Sequence, residues 1–261
     1  MNEEASRHNE ARPTAFTWFV RGIIALVVII TIAAYFAPAF SQHASPYRSR
    51  CMNHLKQLAL TMRMYANEDP VDFFPPPSYV RGQLYMKRSA LYPEYMPDPV
   101  INICPSDEDM ESLSRQYEKP IEEPDPFFDD KSYFYLGYAL TSEEDMQSYR
   151  DAYLEGIPTD DQLANNSYIT APGGTRLYRL REGVERFFIE RLGLDINDPG
   201  ASARIQSMIP LLIERIGNHV PDGGNVLFLD GHVEFIRYPG KWPMTESTIA
   251  ILNELDALGE T

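Results

Sequence analysis

Cysteine is scarce in this chain of 261 residues, where only Cys51 and Cys104 are present. Two thiols are too few for a disulfide-dense scaffold and too few for a zinc site built from four cysteines. They allow a single intramolecular pairing. Two interpretations stay open: a Cys51–Cys104 disulfide formed in an oxidising compartment, and two thiols that are buried separately.

Basic residues are also in short supply. Lysine and arginine total 23 against 38 aspartate and glutamate, which gives a formal net charge of −15. The imbalance is uneven, because residues 1–65 hold 7 basic and 3 acidic side chains whereas the remainder holds 16 and 35. Such an excess of acid repels phosphate, so we expect no nucleic acid partner. With 44% hydrophobic residues, the acidic part can bury a core and is expected to fold.

Charged residues are absent from Gly22–Phe40, which reads GIIALVVIITIAAYFAPAF. Together with Ala15–Val20 ahead of Arg21, this stretch is long enough to cross a bilayer of about 30 Å as a helix. We predict a cytoplasmic tail at 1–14 and a transmembrane helix at 15–40. A cleaved secretory signal and a buried soluble helix are the alternatives. Basic residues flank the segment equally on both sides, so charge does not set its orientation.

A second helical pattern follows the apolar segment. Its apolar positions recur at steps of 4, 3, 4 and 3 and therefore lie on one helix face: Cys51, Leu55, Leu58, Met62 and Tyr65. We predict an amphipathic helix at 41–68 that continues the anchor and ends before the proline-rich run at 70–77. We expect this face to dock on an acidic globular domain at 69–261, and a partner-binding face is the alternative.

The remainder mixes helix and strand signals, which predicts an α+β fold. Aromatic content predicts a strand over Ser132–Leu140. Three helices are predicted, over Glu143–Glu155, Arg179–Leu192 and Ala201–Ile216. A proline-rich acidic stretch at 120–130 is expected to be a solvated loop, with calcium binding as the alternative because hard cations need clustered oxygens.

The clearest local prediction is a hairpin near the C-terminus. Asn225–Leu229 and His232–Tyr238 are apolar-rich runs on either side of Asp230-Gly231. Asp-Gly suits a two-residue type I′ turn, which would pair Leu229 with His232. In that register one apolar face, expected to pack on the amphipathic helix, contains Val226, Phe228, Val233 and Phe235.

A family resemblance appears at this hairpin. His219–Tyr238, HVPDGGNVLFLDGHVEFIRY, resembles the C-terminal signature of prepilin-type bacterial proteins, in which a histidine precedes Asp-Gly by about nine residues; ten intervene here. Cys51–Tyr65, CMNHLKQLALTMRMY, is similar to the helix after the membrane segment in that group, and YPEYMPDP, CPSD and RLREGVERF also match. The resemblance covers most of 50–243. It is to a domain-of-unknown-function group related to type II secretion pseudopilins, and its signature residues here are His219, Asp230, Gly231 and His232.

The resemblance implies a pilin-like α+β fold, in which a long N-terminal helix packs on an antiparallel sheet with additional helices. It also implies a non-enzymatic structural role in a secretion or surface apparatus. The protein would cross the cytoplasmic (inner) membrane once, with its globular domain outside the cytoplasm. Its partners would be the lipid bilayer and either copies of itself or other pseudopilins. One departure is that Ala15-Phe16 replaces the Gly–Phe cleavage point and no acidic residue follows, so we expect the first fifteen residues to be retained.

Metal binding is the main alternative chemistry. Asp195, Asn197 and Asp198 cluster oxygens in one tight turn and are candidate calcium ligands. A transition-metal site can be drawn from His219, Asp230, His232 and Glu234. We favour structural roles for these residues: the turn for Asp230, an outward strand face for His232 and Glu234, and hydrogen bonding for His219. The runner-up function is therefore a membrane-tethered extracytoplasmic domain that binds calcium or glycan, followed by an exported hydrolase. We assign no catalytic residue and expect no cofactor for the structural role.

Overall fold

The structure, a computed structural model, describes residues 15–41, 46–107, 110, 127–156, 166–219 and 221–259. Its compact units are Met1–Ala44 and Ser45–Thr261. In the first unit, helix α1 spans Ala15–Ser41, and the side chains of residues 18–31 are exposed. Within the described part of the chain, no helix is both long enough and apolar enough to cross a membrane. The predicted tail at 1–14 lies outside the described residues.

The second unit mixes helices and strands. The described helices are α2 (Pro46–Glu68), α3 (Arg88–Leu91), α4 (Glu143–Gly156), α5 (Arg186–Ile189), α6 (Ala201–Gln206) and α7 (Glu246–Asp256), with 3-10 helices η1 (Pro99–Asn102) and η2 (Ala257–Gly259). The strands are β1 (Tyr133–Phe134), β2 (Tyr138–Ala139), β3 (Tyr168–Thr170), β4 (Arg176–Arg179), β5 (Pro210–Glu214), β6 (Gly223–Phe228) and β7 (Val233–Arg237). They form two antiparallel sheets, ordered β1-β5-β6-β7 and β2-β4-β3. The predicted α+β class is confirmed.

Helix α2 carries the predicted apolar face. Cys51, Leu55, Leu58 and Met62 are fully buried, and Tyr65 packs at the edge of the same core. Pro46 begins the helix, where proline is favoured because the first backbone N–H groups have no intrahelical acceptor. The helix contacts β6, β7 and η1. Its docking on the sheet is therefore present, whereas its link to α1 runs through residues 42–45, which are not described.

The four-stranded sheet separates two hydrophobic clusters. On one side, Leu227 joins the buried residues of α2. On the other side, Val226 and Phe228 join the buried residues of α4 and α7. Strand β6 is consequently buried along its whole length, as expected for a strand covered on both faces.

The C-terminal hairpin is present, but its predicted register is wrong by one residue. Leu227 pairs with Val233, and Val226 pairs with Glu234. The Phe228 N–H donates to the His232 carbonyl at 3.0 Å, and the Gly231 N–H donates to the Phe228 carbonyl at 2.8 Å. The loop therefore holds three residues and ends in Gly231 at φ +88°, the arrangement of a type I turn followed by a left-handed residue.

The shift has a physical cause and a consequence. Leu229 belongs to the turn because its N–H donates to the Ile209 carbonyl at 2.9 Å and its carbonyl accepts from Arg63 at 2.6 Å. A slip of one residue sends alternate side chains to opposite faces. The predicted single apolar face is therefore wrong: Val226 and Phe228 face α4 and α7, whereas Val233 and Phe235 belong to the side of α2.

Three other predicted elements differ. The strand over Ser132–Leu140 is divided between β1 and β2, with Gly137 at φ +75° between them. The helix over Arg179–Leu192 shrinks to α5, and Gly183 at φ +76° precedes it. The helix over Ala201–Ile216 is wrong, since α6 ends at Gln206 and β5 follows. Strand β5 is buried throughout, and a short apolar run of this kind does not distinguish strand from helix.

The helix predicted over Glu143–Glu155 is confirmed as α4, which ends at Gly156. The acidic stretch predicted as a solvated loop lies outside the described residues up to position 126. The prediction is wrong for the end that is described, because Phe127 and Phe128 are buried in the core beside α2 and Asp130 is buried where it accepts a hydrogen bond from the Leu84 N–H.

Candidate functional site

Two distant parts of the chain are joined by a disulfide bond. Cys51 on α2 and Cys104, two residues after η1, have their sulfurs 2.09 Å apart and their Cα atoms 5.2 Å apart. Both residues are fully buried. Of the two interpretations of the cysteines, the structure contains the Cys51–Cys104 disulfide.

Polar side chains from the central sheet surround this bond. The His219 Nε2 atom lies 3.6 Å from the Cys104 sulfur and 3.0 Å from Glu214 Oε1. Glu214 Oε2 accepts hydrogen bonds from the Asn225 backbone N–H at 2.8 Å and from the Asn225 side-chain amide at 2.6 Å. We refer to Cys51, Cys104, Glu214, His219 and Asn225 as the disulfide cluster.

The sheet brings these residues together. Glu214 ends β5, where it pairs with Tyr133 of β1, and Asn225 lies in the neighbouring strand β6. Gly224 lets the two strands approach, because a Cβ atom there would lie 2.7 Å from the Glu214 carbonyl oxygen. A side chain at this position would therefore push Glu214 away from its partners.

Glu214 is a carboxylate with no exposed surface. Burying such a charge is costly unless several donors replace the lost water. Asn225 supplies two donors, and His219 Nε2 supplies a third when its proton lies on that nitrogen. In that tautomer His219 Nδ1 is an acceptor. Among the described residues, the buried atoms His219 Nδ1 and Asn225 Oδ1 have no hydrogen-bond partner.

The cluster also has metal-ligand chemistry. Two cysteine sulfurs, a Glu214 oxygen and a His219 ring nitrogen all lie within 4.8 Å of one another. This grouping contains His219 but none of Asp230, His232 and Glu234. The transition-metal site drawn from the hairpin residues is therefore not assembled in the described structure.

The remaining signature residues build the hairpin turn. Asp230 Oδ1 accepts from the His232 backbone N–H at 3.0 Å and lies 2.6 Å from the His232 ring nitrogen Nδ1. The His232 ring stacks on Phe228 with a centroid distance of 4.5 Å. Glu234 pairs with Lys241 at 2.7 Å. Each of these side chains has a local structural partner at the partly exposed end of the sheet.

The candidate calcium ligands also have internal partners. Asp195 Oδ1 accepts from the Asn197 backbone N–H at 2.8 Å and from its side-chain amide at 3.1 Å. Asp198 accepts from the Gly200 N–H at 2.8 Å and pairs with Arg204. The Arg204 guanidinium and this backbone hydrogen bond hold the pKa of Asp198 below its usual value. The three residues form a hydrogen-bonded turn closed by an arginine, which competes with a cation for Asp198.

A second buried acid was not predicted from the sequence. Asp130 Oδ2 accepts from the Leu84 N–H at 2.8 Å, and Arg215 lies 3.4 Å from Asp130 and 2.7 Å from Asp256. Burial raises the pKa of Asp130 to about 7, assisted by the charge of Asp256 and opposed by the Leu84 hydrogen bond and Arg215. Asp130 lines a polar cleft together with Arg215 and Asp256. Its partners come from distant segments, so no local pattern indicates it.

The chain was compared with protein-family models, curated proteins and solved structures, and no match was found in any of them.

Proposed function

We propose that this chain is a membrane-anchored, pilin-like or pseudopilin-like structural protein of a secretion or surface apparatus, without enzymatic activity. In this proposal the uncharged apolar stretch that the sequence places in a transmembrane helix at 15–40 lies in the cytoplasmic membrane, although no helix of the described residues qualifies as a span, and the unit Ser45–Thr261 lies outside the cytoplasm. The observation that carries the anchor is the exposure of α1: its apolar side chains from Trp18 to Ile30 expose from 37% to 67% of their surface. A continuous apolar surface of this size needs a cover, and lipid is the cover proposed here.

The packing of α2 supports the pilin-like part of the proposal. Its buried face lies against β6 and β7 of an antiparallel sheet. This is the arrangement that the family resemblance implies for the helix that follows the anchor. The family resemblance also implies that α1 and α2 form one long helix, and we include this continuity in the proposal.

The roles of the signature residues support a structural function. His219 is buried against Glu214, while Asp230 and Gly231 build the turn that joins β6 to β7. In the described structure these residues stabilise the sheet and its contact with α2. Signature residues that stabilise a sheet support a structural role for the protein.

The opposite side of α2 offers a contact for assembly. Leu60 and Met64 lie one helical turn apart and expose 62% and 45% of their surface. A common membrane anchor would orient all copies of the chain in the same way and raise their local concentration. We therefore propose a second copy of the chain as the partner of this face.

The anchor is tested by fractionating cells that express the full-length chain. We expect the wild type to remain in the membrane after an alkaline wash. Replacing Ile24 and Val28 together by aspartate places two charges in the apolar segment, each costing about 3 kcal/mol at the centre of a bilayer. We expect this variant to be released, while the matched Ile24→Leu/Val28→Leu variant stays. Recovery of the wild type in the soluble fraction would contradict the anchor.

A further inference from the structure

We propose that reduction of the Cys51–Cys104 disulfide converts the disulfide cluster into a four-ligand site for Zn²⁺. The ligands are the two thiolates, His219 Nε2 and the Glu214 carboxylate. This site is independent of the proposed assembly role, because it depends only on residues in the core of the second unit. The disulfide cluster would then have two mutually exclusive states, one with the disulfide bond and one with a bound metal ion.

Two of the ligand-to-ligand distances in the cluster already approach those of a tetrahedral zinc site, and all four ligand atoms lie within 4.8 Å of one another. Zinc binds sulfur at about 2.3 Å and nitrogen or oxygen at about 2.0 Å, so tetrahedral ligands lie about 3.5 Å apart for sulfur and nitrogen and about 3.3 Å apart for nitrogen and oxygen. The observed separations are 3.6 Å between Cys104 Sγ and His219 Nε2 and 3.0 Å between His219 Nε2 and Glu214 Oε1. The two sulfurs, which are bonded to each other in the structure, must separate to about 3.8 Å.

The surroundings suit metal ligands. Asn225 holds Glu214 through Oε2, which leaves Oε1 directed at His219, and such outer hydrogen bonds fix the orientation of ligating carboxylates. His219 must give the lone pair of Nε2 to the metal, which moves the ring proton to Nδ1. Nδ1 has no hydrogen-bond partner in the described structure, so the change breaks no hydrogen bond at that atom, and the new N–H group remains buried without an acceptor.

The redox state decides which form exists. In the disulfide the sulfurs are neutral and bonded to each other, and the thiolate rather than the thiol or disulfide is the metal ligand. Reduction of the bond takes two electrons and two protons and gives two thiols. A phosphine supplies the electrons and becomes the phosphine oxide, taking its oxygen from water. Binding of Zn²⁺ then releases one proton from each thiol.

The test uses the full-length chain in detergent micelles, without oxygen, before and after reduction with tris(carboxyethyl)phosphine. Co²⁺ serves as the probe because tetrahedral thiolate coordination gives it a charge-transfer band in the near ultraviolet and visible bands of high intensity. We expect the reduced chain to bind one equivalent of Co²⁺ with these bands and to release it to Zn²⁺. We expect the oxidised chain to show no thiolate band.

Two variants test the cysteine and glutamate ligands, and a third serves as a control. Cys51→Ser/Cys104→Ser should lose the charge-transfer band, and Glu214→Gln should weaken Co²⁺ binding to the reduced chain at least about tenfold. His232→Ala, which changes a partly exposed histidine outside the cluster, should bind as the wild type does.

Either of two results of the Co²⁺ titrations would overturn the proposal: a reduced wild type without a one-to-one thiolate complex, or Glu214→Gln binding Co²⁺ as tightly as the wild type. If reduction unfolds the chain, Zn²⁺ must restore the circular dichroism spectrum of the oxidised protein. Failure to do so would also overturn it.

Discussion

Loss of the disulfide should lower the free energy of unfolding of the second unit by about 4 kcal/mol. The bond joins residues that are 53 positions apart. In the chain-entropy model, releasing a loop of that length gives the unfolded chain additional entropy worth about 4 kcal/mol at 25 °C. Both cysteines are fully buried, so Cys51→Ala/Cys104→Ala removes the bond while it keeps the surroundings apolar.

Urea unfolding followed by far-ultraviolet circular dichroism measures this loss. The oxidised wild type, the reduced wild type without metal and the double variant should be compared, because the last two lack the bond for different reasons. We expect both to lose the same amount of unfolding free energy, which is a large part of the roughly 5–15 kcal/mol typical of a domain. Losses below about 1 kcal/mol in both would refute the loop-closure argument. If Cys51 and Cys104 of the wild type react with an alkylating reagent after denaturation without a reductant, the disulfide bond itself is absent.

Three further predictions concern single residues. Phe228→Ala should lower the free energy of unfolding by about 3–5 kcal/mol because only 3% of Phe228 is exposed. Phe235→Ala should lower it clearly less because Phe235 is half-buried beside Arg48. Equal losses of unfolding free energy for the two variants in urea would favour the predicted hairpin register over the observed one. Gly231→Val should cost at least about 1 kcal/mol because φ at this residue is +88°, and Gly231→Asn should cost less; equal thermal midpoints for the two variants would contradict this. Burial raises the pKa of Asp130 in the folded state to about 7, so its contribution to stability is complete below the unfolded pKa near 4 and is lost by up to about 1.4 kcal/mol per pH unit as the pH rises to 7. Asp130→Asn should remove this pH dependence. A difference in the free energy of unfolding between wild type and variant that stays constant with pH would contradict the prediction.

Helix α2 could be predicted because its information is local. Steps of three and four residues place Cys51 through Met62 on one face whatever the helix packs against, and the structure buries that face. The disulfide could be proposed because two cysteines allow one pairing. The choice between the bond and two free thiols needed the three-dimensional distance.

The elements that were mispredicted depend on distant contacts. The hairpin exists where Asp230-Gly231 predicts it, but Ile209 and Arg63 hold Leu229 in the turn and shift the register. The sequence of β5 is compatible with the end of a helix, and only its pairing with β1 and β6 identifies it as a strand. The same limit applies to the disulfide cluster. Glu214 lies in a region predicted as helix, so its position beside His219 could not be inferred.

Crosslinking in native membranes tests the central claim, self-association of an anchored pilin-like chain, most directly. A photoreactive amino acid replaces Leu60 on the exposed face of α2 in the full-length protein, and Gln147, exposed on α4, serves as the control position. We predict a series of dimers and larger products from position 60 that contain only this chain by mass spectrometry, and no such series from position 147. Recovery of the chain in the membrane without self-crosslinked products at position 60 would contradict the proposed assembly.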